Sequence, residues 1–160
     1  MEFEQLFEMQ RQLDAFIEET QQISHDVFRE KALALIVELS ELANETRCFK
    51  YWSTKGPSDR SVILEEFVDS IHFMLSLGNM KGYRLENWPK VEEEADLTTL
   101  FIEATATISA FIAEPNGQHY QEVWHLYSKL AYNLQFSVKD IMDAYVLKNE
   151  KNYERQKAGY

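Results

Sequence analysis

Acidic residues in two segments of the chain have a spacing that suits metal binding. Glu38 and Glu41 lie three residues apart in the stretch ELSE, and Glu66 and Asp69 have the same spacing in EEFVD. Residues three or four apart share one face of an α-helix, so each segment presents a pair of carboxylates in one direction. Two antiparallel helices could set these pairs opposite each other, and carboxylate oxygens are ligands that Mg²⁺ and Mn²⁺ prefer. We therefore predict that Glu38, Glu41, Glu66 and Asp69 form one metal site.

The helix that carries the first pair is apolar around more than half of its circumference. At about 100° per residue, Glu38, Glu41 and Glu45 occupy a narrow sector between Val37 and Leu42. Like charges at this spacing weaken an isolated helix, and a divalent cation would relieve their repulsion. Because a surface helix has a broad polar face, the pattern favours an interior helix that lines a cleft. A solvated face with unusually few polar residues is the alternative.

The remaining sequence predicts further helices and no strands. Only 5 Gly and 3 Pro interrupt the chain, and no alternating strand pattern is present. Apolar periodicity and capping residues predict six helices, at about 2–22, 27–45, 62–80, 89–113, 119–135 and 138–157. Pro89 suits the first turn of the fourth helix, and Ser137 with Asp140 can cap the sixth. We predict an all-α helical bundle in a single domain, 1–160, with the acidic site between two central helices.

Charge and composition exclude several classes of protein. The net charge of −11 argues against nucleic-acid binding, which needs a basic surface. No apolar run is long enough to span a bilayer, so we expect no membrane association. The N-terminal stretch MEFEQLFEMQRQ lacks the features of a signal peptide, and a single cysteine, Cys48, allows no intrachain disulfide. These features predict a cytoplasmic protein.

Polar and basic residues near the C-terminus share one helix face. Lys148, Asn152 and Arg155 stand at i, i+4 and i+7, and Ile141 and Tyr145 precede them on the same stripe. The stripe thus begins as core and ends as hydrogen-bond donors. Donors of this kind, aimed at an acidic metal site, would bind the oxygens of a phosphate ligand. The alternative is a solvated helix end, where basic residues are favoured by the helix dipole.

The motifs resemble those of a known family. The pattern E-x-x-E followed by E-x-x-D is similar to that of the all-α nucleoside triphosphate pyrophosphatases, a superfamily that includes MazG. The stretches RCFKYW, DSIHF and YVLKNEKNYERQKAGY resemble the dimeric dUTPases. The last stretch is similar to that family's K-N-x-x-N-x-x-R-Q-x-x-G-Y, from Lys148 to Tyr160. The resemblance covers nearly the whole chain.

The resemblance implies a Mg²⁺-dependent dUTP diphosphatase that forms a homodimer. Such an enzyme hydrolyses dUTP, and dUDP as a further substrate, to dUMP, releasing pyrophosphate from dUTP. It would bind two or three Mg²⁺ ions, with Mn²⁺ as a substitute.

The resemblance also implies a set of residues that bind the base and sugar. Gln10 would read the uracil edge through its amide, and Trp52 would lie near the nucleotide or pack on a neighbouring helix. Phe73 could stack on the ring, as its place between Glu66 and Asp69 on the helix favours, or be a core aromatic. His72 joins this group as a donor behind the ligands, or it is a core histidine. The chain has Asp14 where the family pattern has asparagine.

Two other functions stay open at this point. A pyrophosphatase for other or non-standard nucleotides would keep the chemistry and change the base, as the Asp14 departure allows. A non-catalytic helical interaction module would carry the same acids merely as a solvated surface.

Overall fold

Hydrophobic residues recur at helical spacing in six segments of the chain, and each segment forms an α-helix. The computed structural model describes residues 1–160 and contains no strand, which confirms the all-α prediction. No helix is both long enough and apolar enough to cross a membrane. The helices are α1 (Gln5–Gln21), α2 (Phe28–Thr46), α3 (Arg60–Lys81), α4 (Leu97–Ala113), α5 (Gly117–Asn133) and α6 (Val138–Lys157).

Local capping chemistry sets several of the helix ends. Ser137 and Asp140 form the predicted capping box of α6, in which each side chain bonds the backbone N–H of the other. Before α2, Asp26 accepts a hydrogen bond from the Phe28 backbone N–H at 2.8 Å. Gly82 ends α3 with a φ of 78°, a left-handed conformation that glycine adopts without strain.

The predicted start of α4 at Pro89 is wrong, because the helix begins at Leu97 and residues 82–96 are irregular. The side chain of Asp96 caps the first turn by accepting a backbone hydrogen bond at 3.0 Å. Asn133 of α5 holds the preceding segment through hydrogen bonds of 2.9 and 3.0 Å to its backbone. Contacts with another helix therefore override the local signal of the proline.

The third helix lies at the centre of the bundle, where it contacts α1, α2 and α6. Its close approach to α5 depends on Gly78, since a Cβ there would lie 2.2 Å from the hydroxyl oxygen of Tyr120. That hydroxyl donates a hydrogen bond of 2.8 Å to the backbone oxygen of Met74. This central position lets α3 present side chains to three neighbouring helices at once.

The second helix is less enclosed than its apolar sequence predicts. Leu33 and Val37 are 62% and 45% exposed, so the expectation of an interior helix is wrong for this face. The reason is that α2 packs mainly on α3 and α4, and no other element of the chain covers the side that carries these two residues. The opposite side, with Leu35, Leu39 and Leu42, is buried in the core.

Candidate active site

Three of the four predicted metal ligands converge between α2 and α3. Glu38, Glu66 and Asp69 each offer a carboxylate oxygen, and these oxygens lie within 4.8 Å of one another. One oxygen each of Glu38 and Glu66 is buried without a hydrogen-bond partner. A buried carboxylate oxygen without a donor is costly, and an oxygen-only cluster suits a hard cation such as Mg²⁺. The donor set therefore fits a divalent metal.

Burial and the repulsion between neighbouring carboxylates both raise the pKa values of the acids in the cluster. Burial, followed by the charges of Asp69 and Glu41, raises the pKa of Glu38 to about 8. The same causes raise the pKa of Glu66 to about 7. Burial also raises the pKa of Asp69, although a hydrogen bond from Lys148 opposes this. Without a cation, the cluster therefore holds protons near neutral pH.

The other acids of the second helix lie beside the cluster. Glu41 is exposed and is not one of the three converging residues, but its charge and hydrogen bonding raise the pKa values of both Glu38 and Glu66. Glu45 accepts a hydrogen bond from the hydroxyl of Ser58, which ties the row to the loop before α3. Of the three acids that share one face of α2, Glu38 thus belongs to the cluster, and Glu41 and Glu45 flank it.

A cleft of about 220 Å³ runs from this cluster between α1, α2, α3 and α6. Glu38 and Asp69 line it, and Ser76, which also lines it, lies about 10 Å from Asp69 along the axis of α3. The cleft is lined by Gln10, Leu13, Asp14, Ile17, Lys31, Glu38, Asp69, His72, Phe73, Ser76, Lys148, Asn152 and Arg155. It contains both carboxylates and hydrogen-bond donors, as a site for a metal-bound nucleotide requires.

The three predicted phosphate-binding residues on α6 all line the cleft. Lys148 bridges two acids, with its amine nitrogen 2.9 Å from Glu65 and 3.0 Å from Asp69. Burial alone would lower the pKa of Lys148, but these two hydrogen bonds raise it. Arg155 lies further along α6, and its charge also opposes the rise in the pKa of Asp69. The cation of Lys148 therefore neutralises part of the acid cluster in this structure.

Gln10, His72 and Phe73 also line the cleft. The Gln10 carbonyl oxygen accepts hydrogen bonds from Tyr145 at 2.8 Å and from His72 at 2.6 Å. Its amide nitrogen donates to Asp14 at 2.9 Å. Gln10 therefore has one N–H left to donate to a ligand and no free acceptor. It cannot both donate to a base and accept from it, as its amide group suggested.

Trp52 lies outside the cleft, where its side chain is 65% exposed. Its ring packs edge-on against Tyr51, with ring centroids 5.2 Å apart, in the loop between α2 and α3. A contact between Trp52 and the nucleotide stays a prediction.

Several residues of the cleft were not singled out as binding residues in the sequence. Lys31, Asp14 and Ser76 meet in it: Ser76 donates to Asp14 at 2.6 Å, and the Lys31 amine lies 3.7 Å from the same carboxylate oxygen. Helical spacing could have indicated all three, because Asp14 follows Gln10 by one turn, Ser76 follows His72 by one turn, and Lys31 precedes Glu38 by two. Glu65, the partner of Lys148, likewise precedes Asp69 by one turn.

Comparison with known proteins identifies the family. The family model described as dUTPase matches residues 2–160, which is nearly the whole chain. The chain belongs to the all-α dUTPase family. Membership makes the protein a hydrolase with dUTP diphosphatase activity and a nucleotide substrate. No curated protein matches the chain.

Proposed function

We propose that the enzyme hydrolyses dUTP to dUMP and pyrophosphate in a Mg²⁺-dependent reaction, with dUDP as a further substrate. The observation that carries the metal requirement is the cluster of Glu38, Glu66 and Asp69, in which two buried carboxylate oxygens have no partner. Facing carboxylates of this kind either hold protons or bind a cation. Oxygen ligands favour Mg²⁺, and Mn²⁺ accepts the same ligands and would substitute for it.

The residues of the cluster have separate roles in this proposal. Glu38, Glu66 and Asp69 hold the metal. When bound, Mg²⁺ would bind phosphate oxygens and lower the pKa of the attacking water. Glu41 is exposed beside these ligands, and in this proposal it is the general base that accepts the proton released by that water. Glu41 and the phosphate oxygens would also supply ligands for a second or third ion.

Lys148, Asn152 and Arg155 hold the phosphate chain in this proposal, because all three line the cleft and Lys148 contacts Asp69 at 3.0 Å. Charged donors bind phosphate oxygens more strongly than neutral ones. Arg155→Ala should therefore weaken binding of a non-hydrolysable dUTP analogue roughly tenfold and binding of deoxyuridine much less, as calorimetry would measure. Equal losses for both ligands would refute a phosphate role.

A panel of nucleotides tests the substrate assignment. Pyrophosphate release from dUTP, dTTP and dCTP should be measured with Mg²⁺ and with a chelator, and phosphate release from dUDP under the same conditions. We expect strong preference for dUTP and no release with chelator. Similar turnover of all three triphosphates would favour the broader pyrophosphatase instead. That alternative has some support in the structure, because the acceptor of Gln10 is already occupied.

We also propose that residues 1–160 act as a single domain, within the MazG-like superfamily, in a cytoplasmic homodimer. Support for one domain is the single cluster of 28 buried residues to which the helices contribute. Support for a dimer is the uncovered face of α2 with Leu33 and Val37. Light scattering of the wild type and of Val37→Glu would test this, since a charge at the interface should produce monomers.

A further inference from the structure

The side-chain amide of Gln10 is held in one orientation by its neighbours. Gln10 is only 4% exposed, and its carbonyl oxygen accepts the hydroxyl proton of Tyr145 at 2.8 Å. Its amide nitrogen donates to Asp14 at 2.9 Å. Rotating the amide by half a turn would place its oxygen against the carboxylate oxygen of Asp14, where no proton is available. The observed orientation is therefore the favourable one.

This orientation determines which nitrogen of His72 carries the proton. His72 Nδ1 lies 2.6 Å from the carbonyl oxygen of Gln10, and a carbonyl oxygen can only accept, so Nδ1 must be the donor. The imidazole also stacks on Tyr145, with ring centroids 4.3 Å apart, which fixes its plane. Burial lowers the pKa of His72 to about 3, so the ring is neutral at pH 7. In a neutral ring protonated at Nδ1, Nε2 carries no proton and can only accept a hydrogen bond.

The bare Nε2 of His72 has no partner in the chain. This nitrogen is buried and accepts no hydrogen bond, although the residue is only 6% exposed and lines the cleft. An unsatisfied buried acceptor is unfavourable, so a ligand that brings a donor to it is favoured. Phe73, the candidate stacking residue, lines the same cleft. The vacant acceptor therefore belongs to a residue of the cleft in which a nucleoside would lie.

Asp14 is suited to its position because a carboxylate has no proton to donate. Ser76 and Lys31 hold one of its oxygens, at 2.6 and 3.7 Å, and the other accepts from Gln10. Asparagine would bring an N–H into this network and would allow Gln10 to bind in either orientation. The departure from the family pattern at this position thus has a physical consequence for His72.

We propose that Asp14 and Tyr145 are positioning residues, Asp14 by holding Gln10 in one orientation and Tyr145 by stacking on the imidazole, and that together they present His72 Nε2 as an acceptor for a hydrogen-bond donor of the bound nucleotide. The identity of the ligand rests on the proposed function, whereas the state of His72 does not. Two groups of a deoxyuridine nucleotide could supply the donor, the N3–H of the base and the 3′-hydroxyl of the sugar. Both have the same hydrogen-bonding chemistry.

The state of His72 can be read directly by ¹⁵N NMR of the imidazole nitrogens. The chain has 4 histidines, and His72→Gln would identify the signals. We expect the wild type to show only the tautomer protonated at Nδ1 at pH 7. Asp14→Asn should add the Nε2-protonated tautomer and raise KM for dUTP roughly tenfold, with a smaller effect on kcat. Asp143→Asn, the same change on an exposed acid of α6, should alter neither.

Two results would overturn the proposal. A wild type protonated at Nε2 would refute the state of His72, and an unaltered tautomer in Asp14→Asn would refute the role of Asp14. Tyr145→Phe provides a second test, since it keeps both Asp14 and the stacked ring, so the Nδ1-protonated tautomer should persist; its loss would refute orientation of Gln10 by Asp14. All of these spectra are recorded without substrate, so a protein that failed to hydrolyse dUTP would contradict the proposed function while leaving this result intact.

Binding of monophosphates then separates the two donors. dUMP should shift the His72 Nε2 resonance. Either the N3-methyl analogue or the 3′-deoxy analogue should bind about tenfold more weakly and leave the resonance unshifted, which would identify the donor. If both analogues shifted Nε2 as dUMP does, His72 would not be the acceptor.

Discussion

Replacing Glu38 with glutamine should make the metal-free enzyme more stable at alkaline pH. The pKa of Glu38 is raised to about 8 from an ordinary value of 4.5, so the folded state binds a proton that the unfolded state has lost. Stability supplied by a raised carboxyl pKa is present at low pH and is lost as the pH rises towards the folded pKa. The wild type should therefore lose stability between about pH 4.5 and about pH 8, and Glu38→Gln should lose less.

The size of the effect follows from the same pKa. A rise from 4.5 to about 8 corresponds to at most ~5 kcal/mol. The cleft is open to water and the neighbouring acids share the proton, so screening reduces our expectation to about 2 kcal/mol at pH 8.5. For a chain of 160 residues, this corresponds to a difference of roughly 4–8 °C in Tm. The two proteins should have nearly equal stability at about pH 5, where the carboxyl is protonated.

Urea unfolding in the presence of a chelator, repeated from about pH 5 to about pH 8.5, would measure this difference. Glu103→Gln is the matched control, because Glu103 is exposed on α4 and lies outside the cleft. Added Mg²⁺ should restore the stability of the wild type at high pH, since a ligand of the folded state stabilises it. Parallel loss of stability in the wild type and Glu38→Gln would refute the reasoning.

Three further changes test the site and the packing around it. Glu66→Gln and Asp69→Asn should each lower pyrophosphate release from dUTP at least about a hundredfold, and near-normal release by both would contradict the metal site. Lys148→Met should tighten Mg²⁺ binding about tenfold in calorimetry, because its amine no longer occupies Asp69; unchanged binding would show that the two do not compete. Gly78→Ala should destabilise the protein by about 2 kcal/mol in urea unfolding, because its Cβ would meet the Tyr120 hydroxyl oxygen at 2.2 Å; a loss below ~0.5 kcal/mol would contradict this.

Features that depend on neighbours along the chain could be predicted from the sequence. Ser137 and Asp140 are three residues apart, and the capping box they form needs no distant partner. The helical spacing of Glu66 and Asp69 likewise placed both on one face of α3. Such features follow from the geometry of a single helix, which the sequence specifies directly.

Features that depend on a distant partner could not be predicted. The start of α4 is set partly by Asn133, which lies on the next helix and bonds the segment before it. The carbonyl oxygen of Gln10 accepts hydrogen bonds from side chains of α3 and α6, which the sequence does not show. This oxygen is therefore not free to accept a hydrogen bond from a base. Lys148 pairs with Glu65 as well as with the predicted Asp69, and the spacing on α3 alone does not show which acids a lysine from α6 will contact.

The pairing of α1 with α6 has a consequence for the kinetics of folding. Tyr145 and Gln10 are 135 positions apart, and so are Gln21 and Gln156, which also share a hydrogen bond. Contacts between such distant residues carry a large loop-closure entropy and tend to form slowly. Pairs that are close in the chain, such as α4 with α5, can dock much sooner. During refolding, recovery of helical circular dichroism should therefore precede recovery of dUTP hydrolysis, because the cleft exists only after α6 has docked on α1 and α3.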